Sequence, residues 1–178
     1  TAVTGTLALV APWRWQLAWT LSDVCLPRWR KAPGCTVQGA LTTRGEVTDA
    51  GPTADAQLEL AGTVADRPAT LAGNVMLESN GTTRFDDLVL ASSGNRFQIT
   101  GSVGTELDVS GTLELLSAAA TLPDARGQGS GSVRLTGTPD HPHLGGTLRM
   151  TNLARRDWSA STLDIDVRWR GQSDTSNE

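Results

Sequence analysis

Residues 12–21 read PWRWQLAWTL and place three of the chain's six tryptophans, Trp13, Trp15 and Trp19, at odd-numbered positions. In a β-strand successive side chains point to opposite faces, so the tryptophans and leucines share one face, and arginine, glutamine, alanine and threonine share the other. Burying one tryptophan removes about 150–250 Å² of surface from water. The stretch therefore predicts a strand whose inner face rests against something apolar.

A short motif of glycine, one small residue and then leucine or valine recurs along the chain. Its uneven spacing indicates repeated strands without the fixed period of a solenoid. The eight copies begin at Gly5, Gly39, Gly62, Gly73, Gly101, Gly111, Gly131 and Gly146.

Apolar residues around these motifs alternate with small or charged residues, the period of a strand with one buried face. The pattern is cleanest near the end, where Asp164, Asp166 and Arg168 separate apolar neighbours. We predict that the alternating positions line one continuous apolar face. They are Trp13, Trp15, Leu17, Trp19, Leu21, Leu58, Leu60, Leu71, Val75, Leu77, Phe97, Ile99, Val103, Leu107, Val109, Leu113, Val133, Leu135, Leu148, Met150, Leu163, Ile165, Val167 and Trp169.

Turn signals separate these runs at the short intervals typical of an antiparallel meander. Asn80-Gly81 predicts a hairpin turn of type I′, which needs positive φ at both central residues. Only residues 115–122 have a helical pattern, which the following proline would end. The glycine-rich residues 126–132 predict a link, dividing the chain into an antiparallel segment, 1–125, and a continuation of the same sheet, 126–171.

A sheet with one apolar face needs a second layer, and the sequence offers almost no helix to supply it. Three all-β solutions remain. The strands could form a sandwich, a closed barrel, or a sheet curled on itself whose concave face is filled by its own side chains or by a guest.

Charge and cysteine content narrow the class of protein. The net charge is -4, with cations and anions interspersed, so no basic stripe indicates nucleic-acid binding. Cys25 and Cys35 could form a disulfide across a bend rich in proline, which would fit an oxidising compartment, or could be two free thiols. Because the chain opens in mid-pattern, we expect a fragment of a longer protein, with 172–178 as a polar disordered tail.

No pattern predicts catalysis, a metal site or a cofactor. The chain lacks a nucleophile elbow and a phosphate-binding loop, and its two histidines, His141 and His143, lie in a turn broken by proline. Asp86-Asp87 and Asp164/Asp166 are interpreted as solvated surface. Trp29 and Trp158, in turns rich in arginine, are interpreted as rim residues that cap a sheet edge. We therefore expect a protein that is not an enzyme.

Residues 85–170 carry a recognisable order of motifs. The run GNRF-x-I-x-G-x-V at 94–103 is followed by Leu107-Asp108-Val109, by Leu122-Pro123, by the glycine-rich run G-x-G-S-V-x-L-x-G-T at 129–138, and by Pro142-x-Leu144-x-Gly146-x-Leu148. Asn152-Leu153 and an alternating strand with a tryptophan complete the pattern. This order resembles the TamB family, which belongs to the AsmA-like bridge proteins of bacteria with two membranes. Residues 1–84 match it less clearly.

The resemblance implies a fold and a function. It implies a long antiparallel sheet curled into a taco or U-shaped half-barrel, with a hydrophobic concave groove and at most one short helix near 115–122. It also implies that the apolar face shields phospholipid acyl chains in the periplasm, that the parent protein is anchored in the inner membrane, and that its partner is a TamA-like outer-membrane β-barrel.

Two other functions remain open at this point. A scaffold could offer its exposed sheet edges to outer-membrane proteins or autotransporters by strand addition. A plain β-sandwich could serve as an adhesin or stalk. A sealed core would favour the stalk, whereas an open apolar groove with unpaired edge strands would favour the bridge.

Overall fold

Strands dominate the computed structural model, which describes residues 1–24, 36–64, 67–120 and 124–171. Cys25, Cys35, Trp29 and the predicted tail at 172–178 lie outside the described residues. The strands are β1 (Ala2–Leu7), β2 (Trp13–Val24), β3 (Thr36–Thr48), β4 (Gly51–Val64), β5 (Arg67–Leu77), β6 (Thr83–Ser92), β7 (Asn95–Val103), β8 (Leu107–Leu115), β9 (Ala125–Thr138), β10 (His141–Arg155) and β11 (Trp158–Arg170).

All eleven strands belong to one sheet, in which their order follows the chain order and every neighbouring pair is antiparallel. β1 and β11 are the edges of this sheet and do not pair with each other, so the barrel does not close. The helical content of the described residues is one 3₁₀ turn, Ala118–Ala120. The predicted all-β fold, a long antiparallel sheet curled like a taco, is confirmed.

Two turns show how the local sequence sets the hairpins. Ser93 and Gly94 both have positive φ, 51° and 84°, so the type I′ turn lies between β6 and β7. At the predicted type I′ position only Gly81 has positive φ, 83°. There the Gly81 N–H donates to the Glu78 carbonyl and the Thr82 N–H donates to Asn80 Oδ1, so the hairpin is present and the predicted turn type is wrong.

The glycine-rich residues 126–132 are part of β9, not a link. Their glycines fall at alternate positions and pair with bulky residues: Gly129 lies opposite Met150, and Gly131 lies opposite Leu148. The segment therefore keeps the period of a strand, with hydrogen-bonded neighbours on both sides. Because β8 pairs with β9 over Leu107–Leu115, the sheet continues without interruption past residue 125.

Three bulges, seen as register shifts in four strand pairs, restore the apolar face after the alternation slips. In β6, Asp87 has a φ of 48°, and the register with β7 shifts between Phe85 and Leu88. In β10, Asn152 has a φ of 52°, and the register with β9 shifts between Thr151 and Ala154. The third shift lies between Leu21 and Val24. Each extra residue returns later apolar side chains to the same face.

The described residues form no second layer over this sheet. Contacts between elements are almost entirely between neighbouring strands, the exception being the 3₁₀ turn against β9. Only five hydrophobic residues of the described ranges are buried: Leu107, Ala118, Ala125, Met150 and Leu153. A sandwich of this size would bury many more, so the sandwich alternative does not describe this fold.

Candidate functional site

One face of the sheet carries nearly all of the large apolar side chains. Directly paired residues of antiparallel strands share a face, so the register can be followed from strand to strand. Leu60 pairs with Leu71, Leu71 with Leu90, and Leu90 with Phe97. We call this surface the apolar face, and the other surface the outer face.

Two further rows extend the apolar face to both ends of the sheet. The first crosses β1 to β5 and the second crosses β7 to β11, each residue being paired with the next. The first row is Val3, Trp19, Leu41, Leu58 and Gly73. The second is Phe97, Leu113, Gly131, Leu148 and Ile165. Eleven strands spaced by about 4.8 Å make this surface roughly 48 Å long along the sheet.

The register places every residue predicted as groove lining on this one face. Contact of these residues with lipid remains a prediction. Several residues of the face were missed by the sequence interpretation. Leu41 could have been found from its glycine motif, but Leu88 and Leu90 could not, because the bulge at Asp87 reverses their apparent face. The missed residues are Val3, Leu7, Val37, Leu41, Val47, Phe85, Leu88, Leu90 and Leu144.

Glycines on the apolar face lie opposite large side chains. Gly111 pairs with Ile99 and Val133, and a Cβ at residue 111 would lie 2.8 Å from Val133 Cγ1 and 3.0 Å from the Phe97 ring. Gly101 lies between Phe85 and Val109. The glycines therefore supply the space that the neighbouring rings and branched side chains fill.

The apolar face is open along much of its length. Trp13 is 57% exposed at one end and Trp169 is 52% exposed at the other, with Ile165 and Val167 also exposed on β11. A groove of about 400 Å³ lies over β7 to β11, lined by Phe97, Leu113, Val133, Leu148 and Val167 among others. Exposed apolar patches that are contiguous mark contacts with a protein, a membrane or a ligand, and this face is therefore the candidate site.

The segment after β8 covers one end of the apolar face. Ala118 packs with Ala125, Met150 and Leu153 in the buried cluster of the described residues. Asn95 holds this segment in place: its Nδ2 donates to the Ser117 carbonyl, and its Oδ1 accepts from the Ser117 N–H, both at 3.2 Å. The local cover therefore closes a corner of the groove and leaves the rest open.

Arg67 reaches the same segment from β5. Its Nη2 donates to the Ala119 carbonyl at 3.3 Å, although Arg67 and Ala119 are separated by three strands of the sheet, β6 to β8. An arginine side chain can span that gap only if the sheet curves. The hydrogen bond therefore links β5 to the segment after β8 across the curved sheet.

The outer face is polar and carries ion pairs between strands. Arg14 lies 3.0 Å from Glu46, and Arg134 lies 3.1 Å from Asp108. Arg149 Nε donates to Asp164 at 2.7 Å, and this hydrogen bond, with the charge of Asp164, raises the pKa of the guanidinium. Surface pairs of this kind stabilise little, so the outer face acts chiefly by remaining hydrated.

The remaining candidate residues form no catalytic arrangement within the described ranges. Asp164 and Asp166 pair with Arg149 and Arg168 on the exposed outer face. His141 and His143 lie at the start of β10, both exposed. Within the described ranges no three histidine, cysteine or acidic residues lie close enough to hold a metal ion. Trp158 is exposed at the first position of β11.

Comparison with known proteins supplies the family. The search of curated proteins and the search of solved structures each gave no significant match. None of the helices among the described residues has the length and apolar character that crossing a bilayer requires. The family model described as TamB, N-terminal domain, matches residues 1–176. That match covers nearly the whole chain and agrees with the motif order at 94–153, and the chain therefore belongs to the TamB family.

Proposed function

We propose that this chain forms one stretch of a periplasmic bridge, in which the apolar face shields phospholipid acyl chains during transport between the inner and outer membranes. The observation that carries the proposal is the open apolar face, continuous from β1 to β11. Membership in the TamB family associates the chain with outer-membrane assembly and transport, and with a TamA-type partner in the outer membrane.

The physical demands of such a bridge are simple. Acyl chains must meet apolar side chains at every point, because each methylene group exposed to water costs about 0.8 kcal/mol. No site may bind a chain so tightly that it stops moving. Rows of leucine, valine and tryptophan spaced by about 4.8 Å meet both demands, since each strand presents a surface similar to that of its neighbour. The proposed mechanism is passive sliding and includes no catalytic step.

Native mass spectrometry tests this proposal. The chain, expressed with export to the periplasm and released without detergent, should carry co-purified phospholipid, and delipidation should shift tryptophan emission to longer wavelength. Lipid-free protein with unchanged emission in the presence of phosphatidylglycerol and phosphatidylethanolamine would contradict the proposal.

A second candidate function rests on the sheet edges. β11 is thirteen residues long, and its outer edge has no neighbour within the described sheet. An unpaired strand of this length can accept another strand by main-chain hydrogen bonds. The chain could then act as a scaffold for outer-membrane β-barrel or autotransporter clients. An unfolded barrel protein should in that case bind the lipid-loaded chain without releasing lipid, because it would use the edge and not the apolar face.

A further inference from the structure

Charge is distributed unequally between the two rims of the curled sheet. We call the rim formed by the turns after β2, β4, β6, β8 and β10 the arginine rim, and the rim formed by the turns after β1, β3, β5, β7 and β9 the opposite rim. The register shows which rim residues share the apolar face. Among the described strand residues on that face, the only charged ones are Arg67 and Arg155, and both lie at the arginine rim.

The placement of Arg67 follows from its pairing. It is the first residue of β5 and pairs with Val64, two residues beyond Gly62, which lies on the apolar face. Its hydrogen bond to the Ala119 carbonyl draws the guanidinium toward the segment that covers the groove. A guanidinium has five N–H donors, and this bond uses one of them.

The placement of Arg155 follows from the bulge in β10. After Asn152 the register pairs Leu153 with Ala160, and it pairs Arg155 with both Ala125 and Trp158. Because Ala125 and Leu153 belong to the buried cluster, Arg155 lies on their side of the sheet. Arg155 is exposed and has no ion-pair partner among the described residues. Trp158 beside it combines an apolar ring with a polar N–H, which suits the boundary between hydrocarbon and water.

The opposite rim differs in chemistry. Where the apolar face meets it, the strands end in uncharged and mostly apolar residues: Leu7, Trp13, Val47, Leu77, Val103, Leu107 and Trp169. The turns of this rim carry carboxylates, including Asp49, Glu106 and Asp140, for which the described structure shows no ion pair. The rims therefore differ where they meet the apolar face: its cations lie at the arginine rim, although the turns of that rim also carry Asp157 and Asp124, the latter 4.0 Å from Arg156.

We infer that the arginine rim binds the phosphates of glycerophospholipids at Arg67 and at Arg155, while the acyl chains extend over the apolar face toward the opposite rim. This inference rests on the proposed function and adds the orientation of the lipid. Hydrocarbon alone would not need a cation beside an apolar floor. An anionic amphiphile is stabilised by such a cation, because a planar guanidinium can donate two parallel hydrogen bonds to a phosphate.

Short-chain lipids dissolved below their micelle concentration test the inference. Dihexanoylphosphatidylglycerol and dihexanoylglycerol share the same acyl chains, but only the first has a phosphate. Tryptophan emission would report binding of each lipid. The double variant Arg67→Gln/Arg155→Gln should bind the phospholipid about tenfold or more weakly than the unaltered chain, since bonds to charged groups are the stronger class, and should bind dihexanoylglycerol equally well. Added salt should weaken phospholipid binding in the unaltered chain.

A matched double variant separates this result from a general effect of charge. Arg168→Gln/Arg170→Gln removes the same charge from the end of β11 near the opposite rim and should leave both affinities unchanged. Equal loss in the two double variants would overturn the assignment to the arginine rim. Equal binding of both lipids by the unaltered chain would overturn the phosphate contact and leave the acyl-chain conduit intact. Binding of neither lipid would instead contradict the proposed function. The single variant Arg155→Gln, which breaks no described hydrogen bond, should show part of the loss with an unchanged unfolding midpoint.

Discussion

Gly45 on β3 lies directly across from Trp15 on β2, and the indole ring occupies the space into which a Cβ at residue 45 would project. Cross-strand pairs on one face are the unit of side-chain packing in a sheet. In this pair the large side chain on one strand fills the space that the glycine leaves on the next strand. The glycine thus leaves room for the indole to lie over the neighbouring strand, at the strand spacing that the backbone hydrogen bonds set.

The substitution Gly45→Val should destabilise the sheet by about 1–3 kcal/mol, the usual cost of overpacking. The added Cβ would meet both the indole of Trp15 and the backbone carbonyl oxygen of Thr53, so the ring and the backbone of β4 would both have to shift. Urea unfolding would measure the change, and tryptophan emission of the folded protein should shift. Gly145→Val is the control, because a Cβ at Gly145 meets nothing within 4 Å. Equal stability of the two variants would show that the ring has room to move.

A charge on the apolar face should stop lipid binding without unfolding the protein. Leu17→Arg and Ile165→Asp each place a charge on the floor, where an open groove allows water to hydrate it. We expect loss of co-purified phospholipid in native mass spectrometry and circular dichroism close to that of the unaltered chain.

The controls for these variants lie on the outer face of the same strands. Ala18→Arg and Thr162→Asp introduce the same charges at exposed positions. Both should retain lipid. Global unfolding of Leu17→Arg and Ile165→Asp would indicate a sealed core and would count against the conduit.

A residue of the buried cluster should contribute more to the free energy of unfolding than a residue on the open part of the apolar face. Leu153→Ala removes a buried side chain that packs with Ala118, Ala125 and Met150, and should cost about 2 kcal/mol or more. Leu90→Ala, at a site that is 47% exposed, should cost less than half as much. Thermal and urea unfolding would measure both. Similar costs would mean that the open part of the face is covered after all.

Hydrogen exchange can measure how much the hydrogen bonds of Asn95 stabilise the segment after β8. Asn95→Ala removes both hydrogen bonds to Ser117, so the Ser117 amide should exchange about five- to tenfold faster. Asn74→Ala, on the outer face of β5, should leave that amide unchanged. An unaltered exchange rate in Asn95→Ala would mean that the packing of Ala118 alone holds the segment.

The period-two pattern was sufficient to predict the strands because each strand places its large apolar side chains on one face. Trp13, Trp15 and Trp19 fall on the apolar face without any irregularity between them, and β11 likewise follows from its alternation. The family resemblance added the curled sheet, which the alternation could not distinguish from a sandwich, because both need one apolar face per strand.

The sequence pattern did not predict the bulges or the contacts between distant strands. Asp86-Asp87 looks like solvated surface in either register, and only the positive φ of Asp87 reveals that Leu88 changes face. Glycines at 127, 129 and 131 suggested a link because glycine favours turns, yet their cross-strand partners need that space. The rim position of Arg67 depends on the pairing of β4 with β5, which the alternation of β5 alone does not give.

Because strand order follows chain order without a crossover, each described strand pairs only with the strands that adjoin it along the chain. A pair of strands can therefore be inserted or deleted without rethreading the others. Each such change alters the reach of the molecule by about two strand spacings, roughly 10 Å, and preserves the direction of every later strand. Insertion or deletion of hairpins can thus change the length of the sheet in small, regular increments.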